Sequence, residues 1–297
     1  MQNLYTHKDS NIRRTWLLFT GFLVVVIGIG WSFTQVYGDP AILYIAVIFS
    51  MGMSISSYWF SDKIVLRMAN AQPVSKDNAK ELYNIVENLA ITAGIPTPKI
   101  YIINEPVPNA FATGRNPEHA VIAVTTGLLE RLDRSELEGV IAHELSHIGN
   151  WDMLVSTMAV VLVGFISIAS DFFLRSLWWG RNNDRRNMHP VFLLIGLVFA
   201  ILAPIAGSLM HLAISRRREF LADASGALLT RYPDALASAL IKISSDTRPL
   251  SVANNTTAHL WFDDPFDNKK QTPLFHKLFM THPPVEERIK ALQGLKV

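Results

Sequence analysis

His143-Glu144-Leu145-Ser146-His147 sets two imidazoles four positions apart with a carboxylate beside the first, and residues 135–142 before it read as amphipathic helix. At about 3.6 residues per helical turn, positions i and i+4 stand one above the other, so both rings point at one spot and can share a Zn²⁺ ion. Zinc lowers the pKa of a water it binds toward neutrality, and Glu144 is placed to take that water's proton during attack on a carbonyl. The chemistry implied is metal-assisted hydrolysis of a peptide bond. The competing reading is an exposed polar helix face; the flanking residues instead suit a buried helix interrupted on one face.

A catalytic zinc site needs a third protein ligand and one open position. The 297 residues include no cysteine, so the ligands must come from histidines and carboxylates. Glu219 lies in Arg216-Arg217-Arg218-Glu219-Phe220-Leu221-Ala222-Asp223-Ala224, a helical segment that places Asp223 at i+4 on the same face. This pair resembles a ligand and its supporting group, because a carboxylate can accept the free N–H of a ligating imidazole and fix its tautomer. An equally open alternative pairs Glu219 with the neighbouring arginines. His119, His189, His259, His276 and His282 are scattered without ligand spacing, and His211 reads as structural.

The elements that must position these groups are partly membrane-bound. The chain is 49% hydrophobic with a net charge of +2, too apolar for an ordinary soluble domain and too balanced for a nucleic-acid binder. Four apolar stretches stand out, at residues 16–37, 41–60, 153–169 and 191–214. Lys8, Arg13 and Arg14 before the first, and Lys63 and Arg67 after the second, predict a hairpin with both ends cytoplasmic. A cleaved signal peptide fits less well, because the apolar run is too long and lacks a small-residue cleavage site. The third and fourth stretches predict a second pair around a basic loop containing Arg175, Arg181, Arg185, Arg186 and Trp178-Trp179-Gly180, with Pro204 as a kink. Either the pair spans, with its loop external despite the arginines, or it is re-entrant or partly buried against the catalytic domain; in each case the flanking segments share one side.

The organisation expected is therefore an N-terminal transmembrane hairpin (1–60), a first catalytic segment (61–152), the second apolar pair (153–214) and a second catalytic segment (215–297). Within the first catalytic segment, residues 77–93 have helical periodicity ending at Gly94, and 99–103 and 120–124 read as strands. Between them, Asn109-Ala110-Phe111-Ala112-Thr113-Gly114 reads as a turn and strand of small residues whose exposed edge would let an extended peptide add as another strand.

Taken together, Asn109-Ala110-Phe111-Ala112-Thr113-Gly114, His143-Glu144-Leu145-Ser146-His147, Arg218-Glu219-Phe220-Leu221-Ala222-Asp223 and Thr281-His282-Pro283-Pro284 resemble the HtpX membrane zinc metalloproteases, relatives of the CAAX-prenyl endoproteases. The resemblance covers nearly the whole chain. It implies a mainly α membrane protein with about four transmembrane helices and an α+β zincin-like (gluzincin) protease domain carrying a small β-sheet. It implies one Zn²⁺ per chain on His143, His147 and Glu219, Glu144 as general base, and Asp223 as the outer partner of a ligand. His282 and Asn109 become candidates for stabilising the oxyanion, Asn109-Ala110-Phe111-Ala112 a candidate substrate-binding strand, and Arg288 a tie between the last helix and the site. For His282 a structural reading stands beside this one, in which Thr281-His282-Pro283-Pro284 caps the last helix. The implied setting is a bacterial plasma membrane, multi-pass, with the catalytic domain cytoplasmic. The implied partners are the lipid bilayer and polypeptide substrates, misfolded or damaged membrane proteins removed as quality control. The long basic loop departs from part of the family. A membrane interaction or regulatory protein with a structural or inactive metal site is the rival reading. A structural zinc normally fills four positions with protein groups, whereas three ligands and Glu144 favour catalysis.

Overall fold

Two long helices lead the chain, α1 (Leu4–Tyr37) and α2 (Ala41–Met68). The turn between them is closed by Gly38 at φ 68° and by the Asp39 carboxylate, which accepts the Ala41 amide at 2.9 Å. The computed structural model describes residues 4–162, 164, 216–253, 257–265 and 283–295. Among these, α1 and α2 are the helices long and apolar enough to cross a membrane, and α2 turns Tyr44, Ile45, Ile48 and Ile55 outward. The fourth apolar stretch, the basic loop, His211 and the end of the third stretch lie outside the described residues.

Both helices overrun the apolar segments read from the sequence. α1 begins at Leu4 rather than near Trp16, and α2 continues past Phe60 to Met68, so the 60/61 boundary falls inside a helix. The reason is physical: hydropathy marks where the hydrocarbon ends, whereas a helix ends only where its backbone hydrogen bonds stop. At 1.5 Å per residue α1 is about 51 Å long and α2 about 42 Å, against a hydrocarbon core of roughly 30 Å.

Beyond α2 come strand β1 (Gln72–Pro73), helix α3 (Lys80–Ala93), strands β2 (Lys99–Ile103), β3 (Ala110–Thr113) and β4 (Val121–Thr125), and helices α4 (Thr126–Arg131) and α5 (Arg134–Gly149). Then follow α6 (Asp152–Leu162), α7 (Arg216–Thr230), α8 (Pro233–Ser244) and α9 (Val285–Gln293). The sheet order is β1-β2-β4-β3, with β2 and β4 parallel and both outer pairings antiparallel. The segment expected to hold a turn and strand is strand through Ala110–Thr113, paired with β4 in the register Ala110↔Val124 to Thr113↔Val121.

Central β4 is buried at every position, which accounts for its unbroken apolar run. One face, with Ile122 and Val124, joins Leu82, Ile85 and Leu89 of α3 and Val140, Ile141 and Leu145 of α5 in the main core. The other, with Val121 and Ala123, packs on Val65 and Leu66 of α2 and on Trp261. A third cluster joins Leu18, Phe19 and Phe22 of α1 to Leu154, Val155, Met158 and Leu162 of α6. The periodicity seen over 77–93 is α3, stopped by Gly94 in the left-handed conformation (φ 68°).

α5 and α7 meet at Gly226, where an added Cβ would stand 3.0 Å from the His143 amide nitrogen and 3.2 Å from its Cα. Nothing larger than glycine lets the two backbones approach this closely. Gly226→Ala is therefore expected to destabilise the protein by about 1–3 kcal/mol, the usual cost of overpacking. Thermal unfolding of the detergent-solubilised variant checks this, with Gly52→Ala, whose Cβ meets nothing within 4 Å, as the unaffected control.

Candidate active site

α5 starts where Asp133 caps it. The Asp133 carboxylate accepts the Glu136 amide at 3.0 Å and Glu136 accepts the Asp133 amide at 2.9 Å, a reciprocal box that satisfies two otherwise orphaned donors. Glu136 also accepts Ser238 Oγ at 2.6 Å and Lys242 Nζ at 2.7 Å from α8. The helix so anchored carries His143, Glu144 and His147 inward.

His143 Nε2 and His147 Nε2 stand 3.1 Å apart, and Glu219, from α7, brings its carboxylate to 3.8 Å from the first and 3.6 Å from the second. Donor atoms about 2.0–2.1 Å from a tetrahedral ion lie roughly 3.3–3.4 Å from one another. The observed spacings bracket that value, so the trio fits a single small cation.

The far nitrogen of each ring explains why the near ones converge. His143 Nδ1 donates to Asp223 at 2.9 Å and His147 Nδ1 to Asp152 at 3.2 Å. A carboxylate can only accept, so each ring carries a proton on Nδ1 and turns its Nε2 to the shared point. Asp223 in turn is held by Arg288, which donates Nε at 2.8 Å and Nη2 at 2.7 Å, sends Nη1 to the Phe262 carbonyl at 3.1 Å, and lies over the Phe262 ring. Burial by itself would raise Asp223; the Arg288 guanidinium outweighs it and holds the carboxyl at about 2. Arg288 is completely buried and ties α9 to the site, as the sequence led us to expect.

Asp152 was missed by sequence reasoning. It follows His147 by five positions, which on an unbroken helix would place it about 140° around the axis. The helix breaks at Trp151, whose φ of 62° is unusual for a bulky side chain. That left-handed residue redirects the chain so that α6 starts with Asp152 against His147.

The cavity over this centre is walled by Glu144, Ala112, Met153, His259, Trp261 and Phe262, among others. Glu144 is buried beside the two ligating rings. His259, unremarkable by spacing, is brought here by the chain after α8, with its Nε2 3.2 Å from the Ser156 carbonyl. Asn109 is buried and engaged: its Nδ2 donates to the Asp263 carbonyl at 3.0 Å, and its Oδ1 accepts the Asp263 amide at 3.2 Å and the Ala110 amide at 3.0 Å. Phe262 N–H donates to the Ala110 carbonyl at 2.8 Å, so the 257–265 loop covers the start of the β3 edge. Ala112 remains beside the cavity, and ladder alternation turns its amide and carbonyl away from β4. Phe111 points to the opposite side, edge-on to Trp261 at 4.9 Å. His282 lies outside the described residues.

Helices packed against a small mixed sheet thus bring two histidines and one glutamate to one point suited to a metal ion. The model of Peptidase family M48 matches residues 76–296. A curated "Protease HtpX homolog" of Caldanaerobacter subterraneus subsp. tengcongensis is 45% identical over 303 residues, covering 100% of this chain and 99% of that one. The homolog from Pyrococcus abyssi is 50% identical over 285 residues, 95% of each. Among solved structures, S. mikatae Ste24p superposes with a TM-score of 0.52 at 19% identity, over 97% of this chain and 67% of that one; the likeness is one of fold. The chain belongs to peptidase family M48, among its HtpX-type proteases.

Burial pushes both imidazoles down. It prevails at His143, held at about 4 despite Asp223, whereas at His147 the hydrogen bond to Asp152 and the charges of Glu219 and Glu144 outweigh it and raise the ring to about 9. At neutral pH a proton is therefore favoured on His147, whose Nε2 stands 3.1 Å from that of His143. Metal uptake must displace it, so zinc binding at pH 7 is expected to release about one proton. Calorimetric titration in buffers of different ionisation enthalpy measures that number. Arg288→Met, which strands a buried carboxylate, is expected to cost about 3–5 kcal/mol of stability in thermal unfolding.

Proposed function

We propose that this protease is a membrane-embedded zinc endopeptidase that cleaves misfolded or damaged membrane proteins at their cytoplasmic segments. The observation that carries the reading is the donor set: three groups converge with spacings fitted to one ion, and Glu144 shares their cavity. His143, His147 and Glu219 would hold the Zn²⁺. Bound there, zinc supplies a Lewis acid that polarises the scissile carbonyl and acidifies the attacking water. Glu144 takes the proton from that water as its oxygen attacks, then delivers it to the amine as the C–N bond breaks. The outward amide and carbonyl of Ala112 pair with an extended substrate backbone. In this reading Asn109, with Ala110 and Phe111, sets the strand and its covering loop, and His282 is the candidate donor to the oxyanion. Trp261 and Phe262 limit the water that reaches the centre.

The membrane setting supports the choice of substrate. Asn11 of α1 bonds Asp152, which touches His147, and Asn11 lies five residues, about 7.5 Å along the helix, from Trp16, where the apolar run begins. The centre thus sits close to the bilayer surface, where segments of other membrane proteins emerge. Arg13, Arg14, Lys63 and Arg67 flank the apolar runs of the two helices on this side, supporting a cytoplasmic orientation.

The test is cleavage of an unfolded membrane protein or a casein-like substrate by purified protein, with bound zinc measured in parallel. Glu144→Gln is expected to retain zinc and to lose about 10²–10⁴-fold in turnover, the range for a general base. Zinc-loaded wild type that never cleaves would move the reading to a membrane interaction protein with an inactive metal site. Undiminished cleavage by the variant would remove Glu144 from its role.

A further inference from the structure

Asn11 is a buried amide on a helix that the activity does not otherwise use. It is 2% exposed and makes two hydrogen bonds through the same nitrogen, to Asp152 Oδ1 at 2.7 Å and to the Asn150 carbonyl at 2.9 Å. These acceptors flank Trp151, the left-handed residue at which α5 gives way to α6. Asp152 reaches His147 Nδ1 through its other oxygen, at 3.2 Å. Its remaining side-chain partner, Arg218 Nη1, stands at 3.4 Å, so Asn11 provides the shortest bond to this carboxylate.

We propose that Asn11 is a positioning residue for the metal centre: by clamping Asn150 and Asp152 across the Trp151 break it fixes the carboxylate that orients His147, so zinc is held firmly only when α1 is seated. The inference rests on the zinc reading given above. Two features favour orientation over simple packing. A buried amide costs free energy unless its donors are satisfied, and both donors here go to the two residues that shape one turn. An aliphatic side chain would fill the space but could hold neither acceptor. The seat itself is apolar, for Leu18, Phe19 and Phe22 of α1 pack on Leu154, Val155, Met158 and Leu162 of α6. Residues 11, 15, 18 and 22 follow the i, i+4, i+7, i+11 spacing of one helix face, which is apolar toward the membrane and ends in Asn11 at the catalytic end. A strained residue beside a functional group persists where its surroundings over-determine it, and Asn11 is one of the groups that hold Trp151 in place.

The test uses full-length protein in detergent and compares Asn11→Ala, Asn11→Ser and Leu18→Ala with wild type. Leu18→Ala loosens the same helix contact without touching Asp152, and Asn11→Ser keeps one donor as a milder lesion. Three quantities are read: zinc affinity by chelator competition, the visible spectrum of the cobalt-substituted protein, and kcat and KM. Removing a partner of a ligating histidine typically weakens metal binding about 10–100-fold. Asn11 acts one bond further out, and Asn11→Ala is expected to lose roughly tenfold in zinc affinity, at the low end of that range. Asn11→Ser should fall between it and wild type, with an altered cobalt spectrum and kcat reduced while KM holds. Melting temperatures normalise the comparison, and if Asn11→Ala does not fold, Asn11→Ser against Leu18→Ala decides. The proposal is overturned if the Asn11 variants keep wild-type zinc affinity and cobalt spectrum, or lose no more affinity than Leu18→Ala at the same loss of stability. A wild-type protein that binds zinc and cleaves while the variants behave alike overturns this inference alone; a wild type that takes up no zinc overturns the zinc reading with it.

Discussion

Two imidazoles can serve one ion only if each keeps a proton on its outer nitrogen and turns the bare one inward. Here that condition is imposed by two buried hydrogen bonds, His143 to Asp223 and His147 to Asp152. Everything around the centre follows from having placed two carboxylates there. An uncompensated charge in such surroundings costs several kcal/mol, so each carboxylate draws in donors from distant parts of the chain. Arg288 comes from the last helix and grips Asp223 with two nitrogens; Arg218 and Asn11 come from α7 and α1 to reach Asp152. The site is therefore a meeting point of helices rather than the property of one.

Packing converts those bonds into distances. Glu219 can reach both histidines because Gly226, seven residues on in α7, lets the helix lie against the backbone of His143. Phe262 does comparable work on the other side. Its ring meets the His143 ring edge-on at 5.0 Å and lies under the Arg288 guanidinium, while its amide bonds Ala110 at the start of β3. One residue thus links a metal-ligating ring, the arginine behind it and the strand next to the cavity. A shift of the 257–265 loop would disturb the centre and the β3 edge together, which is a physical reason for Asn109 to spend its whole side chain on Asp263 and Ala110.

What could be read from the sequence follows the range of each interaction. The paired histidines were legible because i and i+4 on a helix are neighbours by local geometry. Glu219 and Asp223 were legible as a pair for the same reason, but nothing local separates a ligand from a partner of Arg216 or Arg217; the resemblance to a family supplied that step. Asp152 was hidden because its proximity to His147 depends on one left-handed residue, and tryptophan gives no sign of a left-handed turn. Asn11 carried no signal in the sequence, because its partners Asn150 and Asp152 lie 139 and 141 residues away. Strand β3 was legible only as part of a turn and strand: Ala110, Phe111, Ala112 and Thr113 are all buried, so no alternation of apolar and polar residues marks where the strand begins. His259 came to the cavity through a loop, where spacing carries no information.

The same geometry bears on how a protease can be confined to work at a membrane surface. The apolar helix α6 begins with Asp152, the residue that orients His147, so the chain passes from metal centre to apolar helix with nothing in between. α1 enters from the same direction and ends its packing face on that residue. A catalytic domain joined to its apolar helices by a flexible linker would sample substrates over the linker's whole reach. Here the connection is rigid and shorter than a single helical turn. The centre cannot move far from the ends at which α1 and α6 turn apolar, so a chain to be cleaved has to be brought to that point.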